Sequence, residues 1–198
     1  MKKRTATIKR KTRETDITVT LNVDGTGKSK IDTGIGFLDH MLELFAFHGF
    51  FDLTIKAKGD LKVDIHHTNE DIGIVLGQAF KKALGDKKGI KRFGFAGVPM
   101  EEVVGKVVLD INGRGFFDLR KSADAEKSEG YEFGYVEHFF DGLAKHLGTN
   151  LNIRIDNASK DLHATVEPVF KALGLALDHA TQVDPRRKSI PSTKGVID

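Results

Sequence analysis

Histidine–glutamate pairs at one-turn spacing are the residues of this sequence best suited to chemistry. His66 precedes Glu70 by four positions, and His163 precedes Glu167 by the same interval. Side chains four residues apart lie on one face of a helix, so both members of each pair can reach a single cation. Imidazole and carboxylate donors without a thiolate suit Mn, Fe or Zn. The pattern therefore predicts a divalent-metal site, although a histidine taken singly is more often structural.

The two pairs belong to an internal duplication that extends well beyond them. His40 is followed eight residues later by His48, and His138 is followed eight residues later by His146. Two further segments recur: Asp64–Glu70 as Asp161–Glu167, and Leu76–Ala79 as Leu173–Ala176. Because so many points match, we infer a repeat of about 95 residues. The repeat frame gives seven candidate metal ligands: His40, His66, His67, Glu70, His138, His163 and Glu167.

Hydrophobic periodicity predicts an α+β fold of two duplicated β-α-β-β-α halves. The predicted elements are strand 17–23, helix 36–48, strands 52–58 and 61–63 and helix 64–84, then strands 105–112 and 116–119, helix 135–147, strand 151–155 and helix 161–181. Asp64 suits an N-cap because its carboxylate can accept the unpaired amides of the first turn. The polar segment 123–134 predicts a mobile loop. We place the first half at residues 1–90, the second at 91–183 and a tail without periodicity at 184–198.

Composition limits the class of protein. Apolar residues make up 39% of the 198 residues and charged residues 30%, which is typical of a globular protein. No apolar run approaches the roughly 18 residues that a membrane span needs, so we expect no membrane partner. Cysteine is absent, which excludes disulfides and cysteine-based metal sites. The plain expectation is a cytoplasmic address, and the net charge of +3 allows an anionic partner without identifying it.

Basic residues beside glycines suggest a phosphate site. Arg92 stands two residues before Gly94, and Arg114 lies between Gly113 and Gly115. Arginine forks match phosphate geometry, and the tail adds Arg186, Arg187, Lys188, Ser192 and Lys194. A solvated basic surface explains these residues equally well. Nucleic-acid binding is the weaker alternative, since no stacking aromatics alternate regularly with the basic residues.

Two further histidines leave their role open. His48 and His146 each lie at a predicted helix end near a glycine, where an imidazole can bond free carbonyl groups and favour the helix dipole. That capping role and a catalytic one both fit the sequence. His179 lacks a partner in the repeat, and we assign it no role.

Several longer motifs resemble those of the imidazoleglycerol-phosphate dehydratase family, over essentially the whole chain. The motifs that carry the resemblance are Arg13–Thr15, Gly34–Leu42, Asp64–Asp71, Val98–Glu102, Glu137–Phe140, and the tail segments Asp184–Arg187 and Pro191–Gly195. The resemblance implies a lyase that removes water from imidazole glycerol phosphate to give imidazole acetol phosphate, in histidine biosynthesis. It also implies tandem halves with ribosomal S5 domain 2-like topology, helices packed between sheets, and a shell of 24 identical subunits with active sites between them.

The resemblance further implies roles for single residues. Two Mn²⁺ ions per subunit would hold the substrate imidazole as an imidazolate, bound by the seven candidate ligands. Glu14 would contact the substrate and is the first choice for proton transfer, with Glu167 as a second catalytic carboxylate. The remaining substrate contacts, mainly to the phosphate, would come from His48, Arg92, Arg114, Lys171, Ser192 and Lys194.

One position departs from the family pattern. The second His-Glu helix of the family begins with two histidines, and here Ala164 follows His163. The internal repeat shows the same difference independently, because Ala164 occupies the place of His67. One metal site is therefore in doubt. Two hypotheses follow: an active manganese-dependent dehydratase, or a protein of the same shape that binds metal and phosphate with reduced or lost turnover.

Overall fold

The computed structural model describes residues 3–123, 128 and 130–197, and within them the chain forms eight strands and four helices. The first half contains β1 (Thr5–Lys11), β2 (Thr15–Asn22), β3 (Ser29–Asp32), α1 (Gly36–His48), β4 (Asp52–Gly59) and α2 (His66–Leu84). The second half contains β5 (Phe93–Met100), β6 (Val103–Asp110), β7 (Phe116–Lys121), α3 (Phe133–Leu147), β8 (Asn150–Asp156) and α4 (Leu162–Thr181).

The two halves share one sheet topology. The first sheet has the strand order β1-β2-β4-β3 and the second has β5-β6-β8-β7. In each sheet the last strand runs parallel to its neighbour and the other pairs are antiparallel. The register also agrees, since Leu21 pairs with Leu53 and Leu109 pairs with Leu151. The α+β class and the duplication predicted from sequence are both confirmed.

Four helices fill the space between the sheets. The inward residues of β2, among them Ile17, Val19 and Leu21, are fully buried, as period-two alternation requires. Helix α2 packs on β1 and β2, and α4 packs on β5 and β6. Across the middle layer, α2 contacts α3 and α1 contacts α4. The first helix of each half therefore meets the second helix of the other half.

Glycines at equivalent positions let these helix pairs approach closely. A Cβ at Gly77 would lie 2.7 Å from the Leu143 carbonyl oxygen on α3, and one at Gly174 would lie 2.6 Å from the Phe45 carbonyl oxygen on α1. Neither contact leaves room for a side chain, which explains why the Leu-Gly-x-Ala segment is repeated. The close approach sets His40 beside α4 and His138 beside α2.

The order of elements within each half corrects the sequence prediction. Three strands precede the first helix of each half and one follows it, so the predicted β-α-β-β-α order is wrong. The prediction missed β1, β3 and β5. Strand β3 has only four residues, none of them buried, and β1 is an edge strand with a polar outer face, so neither shows a clear apolar alternation. Residues 61–63 form a turn and not a strand, and neither of their apolar side chains is buried: Leu61 is 38% exposed and Val63 75%.

Several predicted boundaries also shift. Helix α2 begins at His66, although Asp64 does accept a hydrogen bond from the His66 amide at 2.8 Å. Helix α3 begins at Phe133, inside the predicted loop 123–134. Residues 124–127 and 129 of that predicted loop lie outside the described residues.

Two further expectations concern the tail and the length and polarity of the helices. Residues 184–197 contain neither helix nor strand, as the lack of periodicity predicted. The tail is held to the body by backbone hydrogen bonds that join Gly89 to Asp184 and Ser189. In the described part of the chain, every helix is too short or too polar to cross a membrane.

Candidate active site

One group of potential metal ligands, which we call the first cluster, forms where α1 meets α4. It consists of His40 on α1 and of His163 and Glu167 on α4. The Glu167 Oε2 atom lies 2.7 Å from His163 Nε2 and 3.3 Å from His40 Nε2. Within residues 3–123, 128 and 130–197, this is the set whose three ligand atoms all lie within 4.8 Å of one another.

The charges around Glu167 favour its ionised form. The residue is 9% exposed, and Lys171 Nζ lies 2.5 Å from its Oε1 atom, one turn along α4. Burial alone would raise the pKa of the Glu167 carboxyl, but hydrogen bonds from Lys171, His163 and His40 outweigh that effect and hold the pKa below its usual value. Glu167 therefore offers an anionic oxygen in the position that a cation between the two imidazoles would need.

The second cluster is the repeat-related group on α2 and α3. It consists of His66 and Glu70 on α2 and of His138 on α3. The His66 Nε2 and Glu70 Oε2 atoms lie 3.2 Å apart, and the His66 and His138 ring centroids lie 4.3 Å apart. The Glu70 side chain is 44% exposed, against 11% for the side chain of Glu167. The structure thus brings six of the seven predicted ligands into two groups, each from one helix pair.

The seventh predicted ligand, His67, points elsewhere. Its Nδ1 atom lies 3.1 Å from Asp60 Oδ2 and 4.0 Å from Glu14 Oε2. The hydrogen bond with Asp60 raises the pKa of the His67 imidazole, and the carboxylates of Glu14 and Asp64 add to the shift. His67 and Glu14 therefore lie together beside the turn that joins β1 to β2, and the His67 ring centroid is 6.0 Å from that of His66.

The two helix-end histidines take different roles. His146 Nδ1 lies 2.9 Å from the Gly142 carbonyl oxygen, one turn back on α3, which is the capping contact that the sequence allowed. His48 instead lies at the edge of the first cluster. Burial and the positive charge of Lys171 lower the pKa of the His48 imidazole, opposed by Glu167. The structure thus groups His48 and Lys171, both predicted substrate contacts, with Glu167.

Three of the predicted phosphate ligands lie near one another: Arg92, Ser192 and Lys194. Arg92 is held by Asp110, with its Nε atom 2.6 Å from Oδ1, and its Nη1 donates to the Pro191 carbonyl at 2.9 Å. This contact fixes the tail just before Ser192, whose Oγ accepts from the Lys194 amide. Arg114 is exposed in the turn after β6. Among the described residues, no hydrogen bond or ion pair joins Arg92, Arg114, Ser192 or Lys194 to either cluster.

The chain is similar over most of its length to one known protein family. The sequence profile of the family described as imidazoleglycerol-phosphate dehydratase matches residues 33–177. The chain belongs to this family. It is 53% identical to the imidazoleglycerol-phosphate dehydratase of Methanocella arvoryzae over 194 residues, covering 98% of this chain and all of that one. It is 52% identical to that of Geobacillus kaustophilus, covering 98% of this chain and 99% of the relative.

Two solved structures of the imidazoleglycerol-phosphate dehydratase family share the fold. The enzyme from Staphylococcus aureus superposes with a TM-score of 0.80 at 34% identity, over 91% of this chain and 99% of that chain. The enzyme from Pyrococcus furiosus, in complex with (S)-C348, gives 0.82 at 36% identity, over 96% and 99%. The family resemblance found in the sequence motifs is therefore confirmed. A dehydratase is a hydro-lyase, so the family is one of enzymes.

Sequence reasoning missed the residues that hold the site together. Asp60 falls between the predicted strands 52–58 and 61–63 and was not singled out, yet its Oδ2 atom lies 3.1 Å from His67 Nδ1. Asp110 was not singled out, yet it holds Arg92. Asp71 was noted only as part of a motif, yet its side chain accepts from Arg10 and Thr15. The Asp60 contact spans seven residues, whereas the others span 18 to 61. Only the adjacency of Asp71 to Glu70 gave a sequence signal.

Proposed function

We propose that this chain is a metal-dependent hydro-lyase that dehydrates imidazole glycerol phosphate to imidazole acetol phosphate. Membership in the family supports the reaction, since the relatives carry the name of that dehydratase over nearly the full length of the chain. The observation that carries metal dependence is the convergence of His40, His163 and Glu167, whose ligand atoms lie within 4.8 Å of one another.

The donor set of the clusters fits a borderline-hard divalent ion. Imidazole nitrogens and carboxylate oxygens suit Mn²⁺, and the ionised, largely buried Glu167 supplies the negative charge that a cation site requires. His40, His163 and Glu167 would hold one ion, and His66, Glu70 and His138 would hold the other. A bound ion would supply Lewis-acid stabilisation of negative charge on the substrate heterocycle.

The chain's own side chains would bind the substrate and move the protons. Glu14 is the proposed general acid–base group, because its 56%-exposed carboxylate is open to a ligand and stands 4.0 Å from His67. Glu167 is fixed by three partners, which suits a metal ligand, and we also propose it as the second catalytic carboxylate. Arg92, Arg114, Ser192 and Lys194 would bind the phosphate, while His48 and Lys171 would border the substrate beside the first cluster.

An assembly of identical subunits would complete each site. In the single chain the side chains of His40 and His163 are 44% and 41% exposed, so the first cluster opens to solvent. Each cluster offers three protein ligands, whereas the Nδ1 atom of His67 faces Asp60 and Glu14. We propose a homo-oligomer, of 24 subunits by family analogy, in which His67 of one subunit reaches a cluster of a neighbour.

Ala164 defines the competing function. Equivalent to His67 in the repeat, it provides no ligand, so one of the two ions would keep one protein ligand fewer. Under the alternative, the chain binds metal and phosphate but turns over slowly or not at all. The retention of Glu14, Arg92, Arg114 and Lys194 favours the active enzyme, because a binding scaffold does not need all of them.

The deciding experiment is a turnover assay on metal-stripped protein with Mn²⁺ added back, run beside elemental analysis. The proposal expects no dehydration without metal and restored dehydration with it. Bound substrate without product, and fewer than two ions per subunit, would favour the alternative. Salt-sensitive RNA or DNA binding that survives a chelator would contradict both and favour a nucleic-acid function.

A further inference from the structure

A buried polar network joins α2 to the first two strands. Asp71 on α2 is 8% exposed, and its Oδ2 accepts from the Thr15 hydroxyl at 2.6 Å. Its Oδ1 accepts from Arg10 Nε at 2.9 Å. Arg10 is in β1 and Thr15 begins β2, so Asp71 is hydrogen-bonded to both sides of the turn that carries Glu14.

The turn itself is built around a second threonine. The amides of Glu14 and Thr15 both donate to Thr12 Oγ1, at 3.1 and 3.0 Å. The Thr12 amide donates to the Thr15 carbonyl at 2.8 Å. The backbone of Glu14 is thus fixed between two threonines, and the Thr15 side chain is in turn fixed to Asp71.

The second half has an apolar set in the same place. The shared register aligns Arg10 with Val98 and Thr15 with Val103, because Leu21 and Leu109 hold equivalent positions. The helix repeat aligns Asp71 with Pro168. Pro168 is buried against β6, where a Cβ at Gly105 would lie 2.8 Å from its carbonyl carbon. Packing a helix on this sheet therefore requires no carboxylate, hydroxyl or guanidinium.

A buried carboxylate that packing does not require needs another explanation. Desolvating it costs free energy that its hydrogen bonds only partly or just offset, and an apolar replacement is often no less stable. The network occurs only in the half whose strand turn carries Glu14. Its position on α2 also matters, since Asp71 follows His67 by four residues and lies on the same helix face.

We propose that Asp71, with Thr15 and Arg10, is a positioning device that holds Glu14 at a fixed place beside His67. The inference rests on the proposed function, in which Glu14 transfers a proton. Asp71 contacts neither reacting group. It sets where the Glu14 backbone lies relative to the helix that carries His67, and thereby the alignment of the carboxylate with its substrate.

Thr15→Val tests the device without changing side-chain shape. Losing the hydroxyl releases the β2 side of the turn from Asp71, and a misplacement of about 1 Å can cost on the order of 100-fold in rate. We expect kcat for imidazole glycerol phosphate with Mn²⁺ to fall at least about 10-fold, with KM and metal content little changed. Thr15→Ser keeps the hydroxyl and should restore most of the rate. Thr181→Val is the matched control, because Thr181 is also buried and its hydroxyl donates to the Asp178 carbonyl on its own helix.

A double-mutant cycle separates positioning from general destabilisation. If Thr15 acts through Glu14, then Thr15→Val should cost little further rate once Glu14 has been changed to Gln, because the effects are not additive for coupled residues. Additive losses, or a Thr15→Ser variant as slow as Thr15→Val, would overturn the proposal.

Amide hydrogen exchange supplies a readout that does not need turnover. Thr15→Val should speed exchange at the amides of residues 13–15, while Thr15→Ser and Thr181→Val should not. Unchanged exchange in Thr15→Val would overturn the device even in an active enzyme. If the wild-type chain shows no turnover, the proposed function fails, and faster exchange would still establish that Asp71 anchors the turn.

Discussion

The two halves of this chain share one arrangement of side chains and differ in another. Each half contributes one histidine from its first helix and a His-Glu pair from its second, and crossing of the halves produces two equivalent clusters. On the adjoining face of the second helix, the first half carries His67 and Asp71 where the second carries Ala164 and Pro168. Both halves therefore have the His-Glu face on their second helix, whereas only the first half has the second polar face, with His67 and Asp71.

This difference changes the meaning of Ala164. Viewed alone, Ala164 is a position at which one histidine of a pair has been replaced and one metal ligand is missing. In its structural setting it is followed one turn later by Pro168, and the facing strands carry Val98 and Val103 in place of Arg10 and Thr15. The second half therefore lacks a whole polar surface, while its His163 and Glu167 still form the tighter cluster.

The largest expected effect compares the equivalent carboxylates of the two strand turns. Glu14→Gln should lower kcat by about 100-fold or more with metal content intact, as expected for losing a general acid–base group. Glu102, at the matching position of the turn between β5 and β6, lacks the Asp71 anchor, so Glu102→Gln should stay within about 2-fold of the wild type. Steady-state kinetics with elemental analysis checks both variants. Equal activity in Glu14→Gln would remove Glu14 from the chemistry.

The next effect concerns position 164 and its counterpart. Ala164→His should raise Mn²⁺ affinity at one site by about 10-fold or more without lowering activity, because it adds an imidazole donor. His67→Ala, the reverse change in the other half, should lower Mn²⁺ affinity. Metal titration by calorimetry measures both. A fall in affinity and activity in Ala164→His would contradict the ligand assignment.

The smallest effect distinguishes the two cluster glutamates in metal-free protein. The depressed pKa of Glu167 means that its stabilising contribution is present above the ordinary carboxyl pKa and is lost as the pH falls through the lowered value. Glu167→Gln should therefore reduce the free energy of unfolding at neutral pH, by on the order of 1 kcal/mol, and the deficit should shrink in acid. Glu70→Gln should cost less at neutral pH, since the Glu70 side chain is four times as exposed.

Urea unfolding at several pH values measures this difference. Equal losses in Glu167→Gln and Glu70→Gln would contradict the stronger electrostatic role of the first cluster. A deficit in Glu167→Gln that grew in acid would contradict the direction of the pKa shift.

The local part of the site was predictable and the long-range part was not. Helical periodicity alone placed His66 with Glu70 and His163 with Glu167, because both members lie on one helix. The repeat nominated His40 and His138, but it did not say which pair each would join. That choice depends on the contacts at Gly77 and Gly174, which cross the helices between halves. The contacts of Asp71 and Asp110 depend on strand register, so they could not be predicted from the sequence either.

Strand prediction failed where burial is weak. Strand β3 contains no buried residue, and outer-face positions of β1 carry Thr5, Thr7, Lys9 and Lys11, so no alternation of apolar residues marks either strand. Both strands form through pairing with their neighbours in the sheet, β2 and β4, which the local sequence does not reveal. The predicted boundaries of the halves and tail, the metal and the assembly stay predictions.

The most direct test of the account is anomalous diffraction at the manganese edge from crystals grown with Mn²⁺. The account predicts a peak bounded by His40, His163 and Glu167 and a second beside His66, Glu70 and His138, each joined by ligands of a neighbouring subunit. Manganese bound elsewhere, with both clusters lacking a peak, would contradict it.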